Sequence, residues 1–186
     1  MSAVSQARAT LDDLYRTPGK AELVRGRIKE FMPTGHLPGL VAFNIARSLF
    51  DHAARIGRGV AYPDNVGIAI LELPSGRESF CPDASYFAGP PPADKMRFVE
   101  GPPTFAAEVR SQGDYGAAAE AEMADKRADY FAAGTAVVWD VDPLAQCIHV
   151  HKPDDPSQPT TYYRGQIAEA EPAVPGWRVA VSWIFG

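Results

Sequence analysis

The chain lacks most of what marks a secreted, membrane-bound or zinc-binding protein. No apolar run approaches the length of a membrane span. Residues 1–15, MSAVSQARATLDDLY, contain no apolar core of a signal peptide. The two cysteines, Cys81 and Cys147, form no CxxC pair, and no Cys/His cluster has zinc spacing. Buried free thiols in a reducing cytoplasm are therefore expected. Glycine-rich phosphate loops, a G-x-S-x-G elbow, a zincin helix, internal repeats and low-complexity tracts are absent too. Nor is there an excess of positive charge: the net charge of −5 is no general signature of a nucleic-acid binder. That charge is unevenly spread, +4 over residues 1–60 and −9 over the rest. The basic section admits local contact with phosphates, but a mixed solvated surface is the favoured reading, because charge patterning is weakly diagnostic.

What remains is an ordinary globular composition, 46% apolar and 22% charged over 186 residues, enough to bury a core within one domain spanning 1–186. Residues 4–16 read as a short helix stopped by Thr17, Pro18 and Gly19. Segments 21–24 and 28–32 flank Arg25, Gly26 and Arg27, a sequence suited to a tight hairpin turn. Over 36–57, Leu37, Val41, Ile45, Leu49 and Ala53 recur every four residues with Leu40, Phe50 and Ile56 beside them, an amphipathic helix that glycine ends. Strands are expected at 60–62, 66–71, 80–87 and 104–109. An alanine-rich helix over 115–133 is capped by Gly134, and a buried strand follows at 137–141. Strands at 147–151, 160–163, 167–169 and 178–185 complete the chain. The order predicts a mixed α+β (α/β) fold, with a parallel crossover from 104–109 through the helix to 137–141.

The chemistry gathers between Cys81 and Pro143. Asp83 follows a proline at the head of an extended run, and Glu108 interrupts an apolar strand, where a charge is costly unless paired or metal-bound. The two lie 25 residues apart on separate strands expected to join one sheet, and two nearby carboxylates can share a hard cation such as magnesium, which activates water and neutralises phosphoryl charge. The plainer alternative makes Asp83 a turn residue and Glu108 the partner of an arginine, with Arg110 on the same strand face. Lys126 and Tyr130 share a helix face; Lys126 either serves phosphate or water chemistry or is solvated. Glu22 is a possible third acidic contributor that, taken alone, reads as a surface residue. His36 reads as a capping or packing residue, and His149 with His151 shares a strand face but lacks a third ligand.

Together these segments resemble the Uma-two family of restriction-endonuclease-like proteins, within the PD-(D/E)XK nuclease superfamily. AELVRGRIKEFMPTGH is similar to the family's opening hairpin and following histidine, and CPDAS to its proline–aspartate strand. AAEVRS is similar to its Glu-Val-x-Ser strand end, and KRADYFAAGTAVVWDVDP to its lysine–tyrosine helix and tryptophan-containing strand. The resemblance covers roughly residues 20–150. It implies a restriction-endonuclease-like fold, a mixed sheet flanked by helices. It also implies a metal-dependent endonuclease using magnesium or manganese, with Asp83 and Glu108 as metal ligands, Lys126 as catalytic lysine and Glu22 in a supporting acidic position. In much of the superfamily a lysine stands two residues after the strand glutamate; here Arg110 stands there. Nucleic acid, DNA in the first instance, is then the partner, and a protein this small that cuts duplex DNA is expected to work as a two-fold homodimer. No separate DNA-reading module is visible, so the proline-rich loops at 89–92 and 101–103 are the candidates for specificity. A nuclease scaffold that binds nucleic acid or protein without catalysis is the alternative.

Overall fold

The computed structural model describes residues 7–186. A capped helix α1 (Leu11–Arg16) leads into a hairpin of β1 (Ala21–Val24) and β2 (Arg27–Glu30), then the long helix α2 (His36–Ile56). Strands β3 (Val60–Pro63), β4 (Ile68–Ala69), β5 (Ser79–Phe80), β6 (Ala84–Phe87), β7 (Val99–Glu100) and β8 (Phe105–Val109) precede helix α3 (Ala117–Ala133). Strands β9 (Val137–Asp142), β10 (Cys147–His151), β11 (Thr160–Tyr163), β12 (Ile167–Glu169) and β13 (Arg178–Ala180) follow, and helix α4 (Val181–Phe185) closes the chain.

The central sheet has the order β11-β10-β9-β8-β6-β3. Only β8 and β9 run parallel, joined by α3, so the sheet is mixed and the expected α+β crossover is present. Along β8, Phe105, Ala107 and Val109 face one way, into a core shared with Val41, Ile45 and Leu49 of α2 and with Trp139, Trp177 and Ile184. Ala106 faces the other way, with Tyr130 of α3 and with Ile68, Phe80 and Val99 of the small sheet β5-β4-β7. Strand alternation thus assigns α2 to one face and α3 to the other.

Several local expectations change. Residues 7–9 are not helical and Thr10 caps α1 through a reciprocal capping box with Asp13; residues 4–6 of the expected helix lie outside the described residues. The expected strand 80–87 is two strands, because Cys81, Pro82 and Asp83 carry the chain from the small sheet to the central one. Proline supplies no N–H to a ladder there. Residues 178–185 are a short strand that turns into α4, not one strand. On α2, Leu40, Phe50 and Ile56 are exposed, while the Val41, Ile45, Leu49 and Ala53 stripe is buried. The hairpin turn holds both Arg25 and Gly26 at positive φ, 54° and 64°, the geometry of a two-residue turn matched to strand twist.

Candidate active site

β6 and β8 build the core of the site. Ala84 pairs with Ala107 in antiparallel register, and the Asp83 N–H donates to the Ala107 carbonyl at 3.1 Å. Continued one step, that register sets Asp83 opposite Glu108. Directly opposed residues of an antiparallel pair project to the same face, here the α3 face. Asp83 is not within a strand, as expected from the sequence, but at the bend just before β6. Its Oδ2 accepts the Val109 N–H at 2.7 Å, which fixes the carboxylate against the end of β8.

α3 brings its own groups over this pair. Lys126 Nζ lies 2.9 Å from Glu108 Oε1 and 2.9 Å from Glu22 Oε1. Tyr130, one turn further, donates its hydroxyl to Glu108 Oε1 at 2.6 Å. Glu22 is on β1 and fully buried, which overturns its reading as a surface residue. Its carboxylate accepts from Arg77 Nη1 at 2.6 Å and from the Cys81 N–H at 3.0 Å besides Lys126. Arg77 in turn donates to Asp129 of α3 at 2.7 Å. Asp83, Glu108, Lys126 and Glu22 therefore converge, and all four line one cavity of about 1200 Å³. The segments 31–35 and 111–115 form much of its wall. The proline-rich loops at 89–92 and 101–103 do not line it.

Electrostatics divide the carboxylates. Burial raises Glu22, but Lys126 and Arg77 outweigh it and hold the carboxyl down at about 2. Burial also raises Glu108; Lys126 opposes this, but the charges of Asp83 and Glu22 add to it, and its carboxyl ends above the ordinary range. Burial disfavours the Lys126 ammonium, yet Glu108 and Glu22 more than compensate and hold it above the usual lysine range. Lys126 is a fixed positive donor at neutral pH and no proton acceptor. The Tyr130 hydroxyl is pushed well up by burial and by Glu108, so it donates rather than ionises. Burial pushes the Cys81 thiol up to about 12, excluding a thiolate nucleophile.

Other candidates fall away. Arg110 is not the partner of Glu108: it clamps Asp140 at 2.7 and 2.8 Å and pairs with Glu120. His149 pairs with Thr161 Oγ1 and His151 with the Pro156 carbonyl, each at 2.9 Å, which uses both rings locally. His36 is exposed and does not line the cavity. Sequence reading missed Lys20, Arg77 and Asp129. Lys20 Nζ lies 2.5 Å from Asp83 Oδ1 and 2.7 Å from Asp64 Oδ1. Nothing in sequence spacing links Lys20 to a residue sixty positions away; its place just before β1 was the only signal.

Among the described residues no group of three or more His, Cys, Asp or Glu forms a ready metal cage. The donor set is two carboxylates. Glu108 Oε2 accepts no hydrogen bond among the described residues, and Asp83 Oδ1 is held only by Lys20. Two hard oxygen donors suit a magnesium-like ion that keeps several waters, not an all-protein calcium cage.

The model of the family Uma2, described as a "putative restriction endonuclease", matches residues 8–182. The chain belongs to the Uma2 family. Among solved structures it is similar to one described as a "putative nuclease belonging to DUF820" from Anabaena variabilis. The two share 16% sequence identity at a TM-score of 0.73, over 95% of this chain and 97% of the other. That likeness establishes a shared fold and agrees with the nuclease-like sheet expected from the sequence. A search of curated proteins finds no match. Among the described residues no helix is long and apolar enough to cross a membrane.

Proposed function

We propose that this Uma2-family chain is a divalent-metal-dependent endonuclease that hydrolyses nucleic-acid phosphodiester bonds, with DNA as its first substrate. The observation that carries the reading is the register that sets Asp83 opposite Glu108, with Lys126 Nζ 2.9 Å from Glu108. Asp83 and Glu108 would hold magnesium or manganese, whose contribution is to lower the pKa of a bound water and offset charge on the phosphate. Lys126 presents a permanent ammonium beside the acidic pair, where negative charge builds on a phosphoryl oxygen in the transition state. Glu22 is a positioning residue. Anchored by Arg77 and the Cys81 N–H, it holds the lysine ammonium that also contacts Glu108. Tyr130 orients Glu108 through Oε1, leaving Oε2 for a ligand. The buried free thiols Cys81 and Cys147 accord with a reducing, cytoplasmic setting. On duplex DNA a two-fold homodimer would cut both strands.

One observation favours a second reading, a nuclease-fold chain that binds nucleic acid or a protein without cutting. Among the described residues, every lysine and arginine lining the cavity already pairs with a carboxylate. Cleavage of supercoiled plasmid and of single-stranded DNA, with magnesium or manganese, separates the two. The nuclease reading expects metal-dependent cutting by the parent and loss of roughly a hundredfold or more in Asp83→Ala and Glu108→Ala. A parent that binds DNA yet cuts neither substrate with either metal establishes the second reading instead.

A further inference from the structure

We propose that Lys20 is a tethered counter-ion that occupies the metal-binding oxygen of Asp83 and must be displaced to Asp64 when the cation binds. The proposal rests on the metal-dependent reading of the site. Asp83 has two carboxylate oxygens with different partners. Oδ2 is fixed by the Val109 N–H at 2.7 Å, a backbone bond integral to the end of β8. Among the described residues Oδ1 accepts only from Lys20, at 2.5 Å. Any cation shared with Glu108 therefore competes with the Lys20 ammonium for Oδ1.

Lys20 is built to compete and to yield. It stands just before β1, and its carbonyl accepts the Phe31 N–H at 2.9 Å, so its backbone is fixed by the hairpin. Its ammonium bridges two carboxylates, with Asp64 Oδ1 at 2.7 Å as the second partner. Burial disfavours the ammonium, yet the charges of Asp83 and Glu108 hold it above the usual lysine range. Release from Asp83 leaves Lys20 on Asp64, which is more exposed than Asp83. The lysine then remains beside the site as a positive charge available to a bound phosphate. Lys126 differs: it holds Glu108 through Oε1, and among the described residues Glu108 Oε2 accepts no hydrogen bond, so a cation on Oε2 would not have to displace it.

The test is manganese affinity of the full chain, read by the loss of the free-ion electron paramagnetic resonance signal, with no cleavage assay involved. Lys20→Met is expected to bind Mn²⁺ roughly tenfold or more tightly than the parent, since a unit charge a few ångströms from the ion is removed. Lys20→Arg keeps the charge and is expected to restore parent-like affinity. Asp64→Asn removes the alternative partner and is expected to weaken binding, whereas the same change made on Lys20→Met has a much smaller effect. Thermal melting checks the fold: Lys20→Met is expected to gain more in Tm from added Mn²⁺ than the parent does. A folded Lys20→Met that binds Mn²⁺ no better than a parent that does bind it overturns the role of Lys20 and leaves the metal site standing. Absence of binding in the parent and in both Lys20 variants overturns the metal reading and this proposal with it.

Discussion

Glu22 and Glu108 share one lysine yet shift in opposite directions, and the difference has a measurable sign. Glu22 falls from an ordinary value of 4.5 to about 2. A depressed carboxylate stabilises the fold above its unfolded pKa and loses that contribution as pH falls toward the folded value. A shift of that size is worth about 3 kcal/mol. Glu108 is raised, so its contribution is present below pH 4.5 and lost as pH climbs through the raised value. Urea denaturation from pH 3 to 8 is expected to show Glu22→Gln less stable than the parent by about 3 kcal/mol at pH 7. The same series should show Glu108→Gln more stable than the parent there. Movement of both variants in one direction at pH 7 contradicts the assignment. Lys126→Ala is expected to lose roughly a hundredfold in any cleavage rate. It is also expected to lose about 3 kcal/mol of stability, because buried Glu22 keeps only part of its compensation. Lys126→Arg is expected to recover more stability than rate, since a planar guanidinium does not reproduce a compact ammonium. Equal recovery of both would make Lys126 a structural residue only.

At the scale of elements, α2 was legible and α3 only half so, for one physical reason. α2 shows its buried face as apolar residues every four positions, and Val41, Ile45 and Leu49 are fully buried. Leu49→Ala is expected to cost about 3 kcal/mol in chemical denaturation. α3 announces itself by alanine content and by Gly134, which caps it at a φ of 110°. Its inner face, however, is polar: Lys126 meets Glu108, Arg127 meets Asp140, Asp129 meets Arg77, and Tyr130 meets Glu108. No apolar periodicity exists to show which way such a helix points. The same contacts dock it, so Asp129→Ala is expected to raise amide exchange across α3 more than across α2. Uniform change across both helices would contradict docking through Arg77. Asp83 and Glu108 were legible because each interrupts a pattern, one after a proline and one within an apolar strand. Glu22 was legible only through the family resemblance, and Lys20 and Arg77 were not legible at all, because their partners come from distant segments that only the hairpin and the small sheet bring together.

At the scale of the whole molecule, part of the uneven charge of the sequence resolves into pairing across the cavity. The hairpin supplies Lys29 against Glu122 of α3, and Lys20 just before it reaches Asp64 and Asp83. These two lysines therefore neutralise carboxylates at the cavity instead of presenting an open phosphate-binding groove there. DNA binding at the cavity is expected to depend weakly on salt, with a log–log slope of magnitude below about 3, since among the described residues every lysine and arginine lining it is already paired with a carboxylate. A steep slope in fluorescence anisotropy would place the DNA on another surface. The central claim, that Asp83 and Glu108 form one metal site beside Lys126, is tested most directly by anomalous diffraction from crystals soaked in manganese. The account predicts a single strong peak bridging the Asp83 and Glu108 carboxylates, with Lys126 still on Glu22. A peak elsewhere, with those two carboxylates bound only to their lysines, would contradict it.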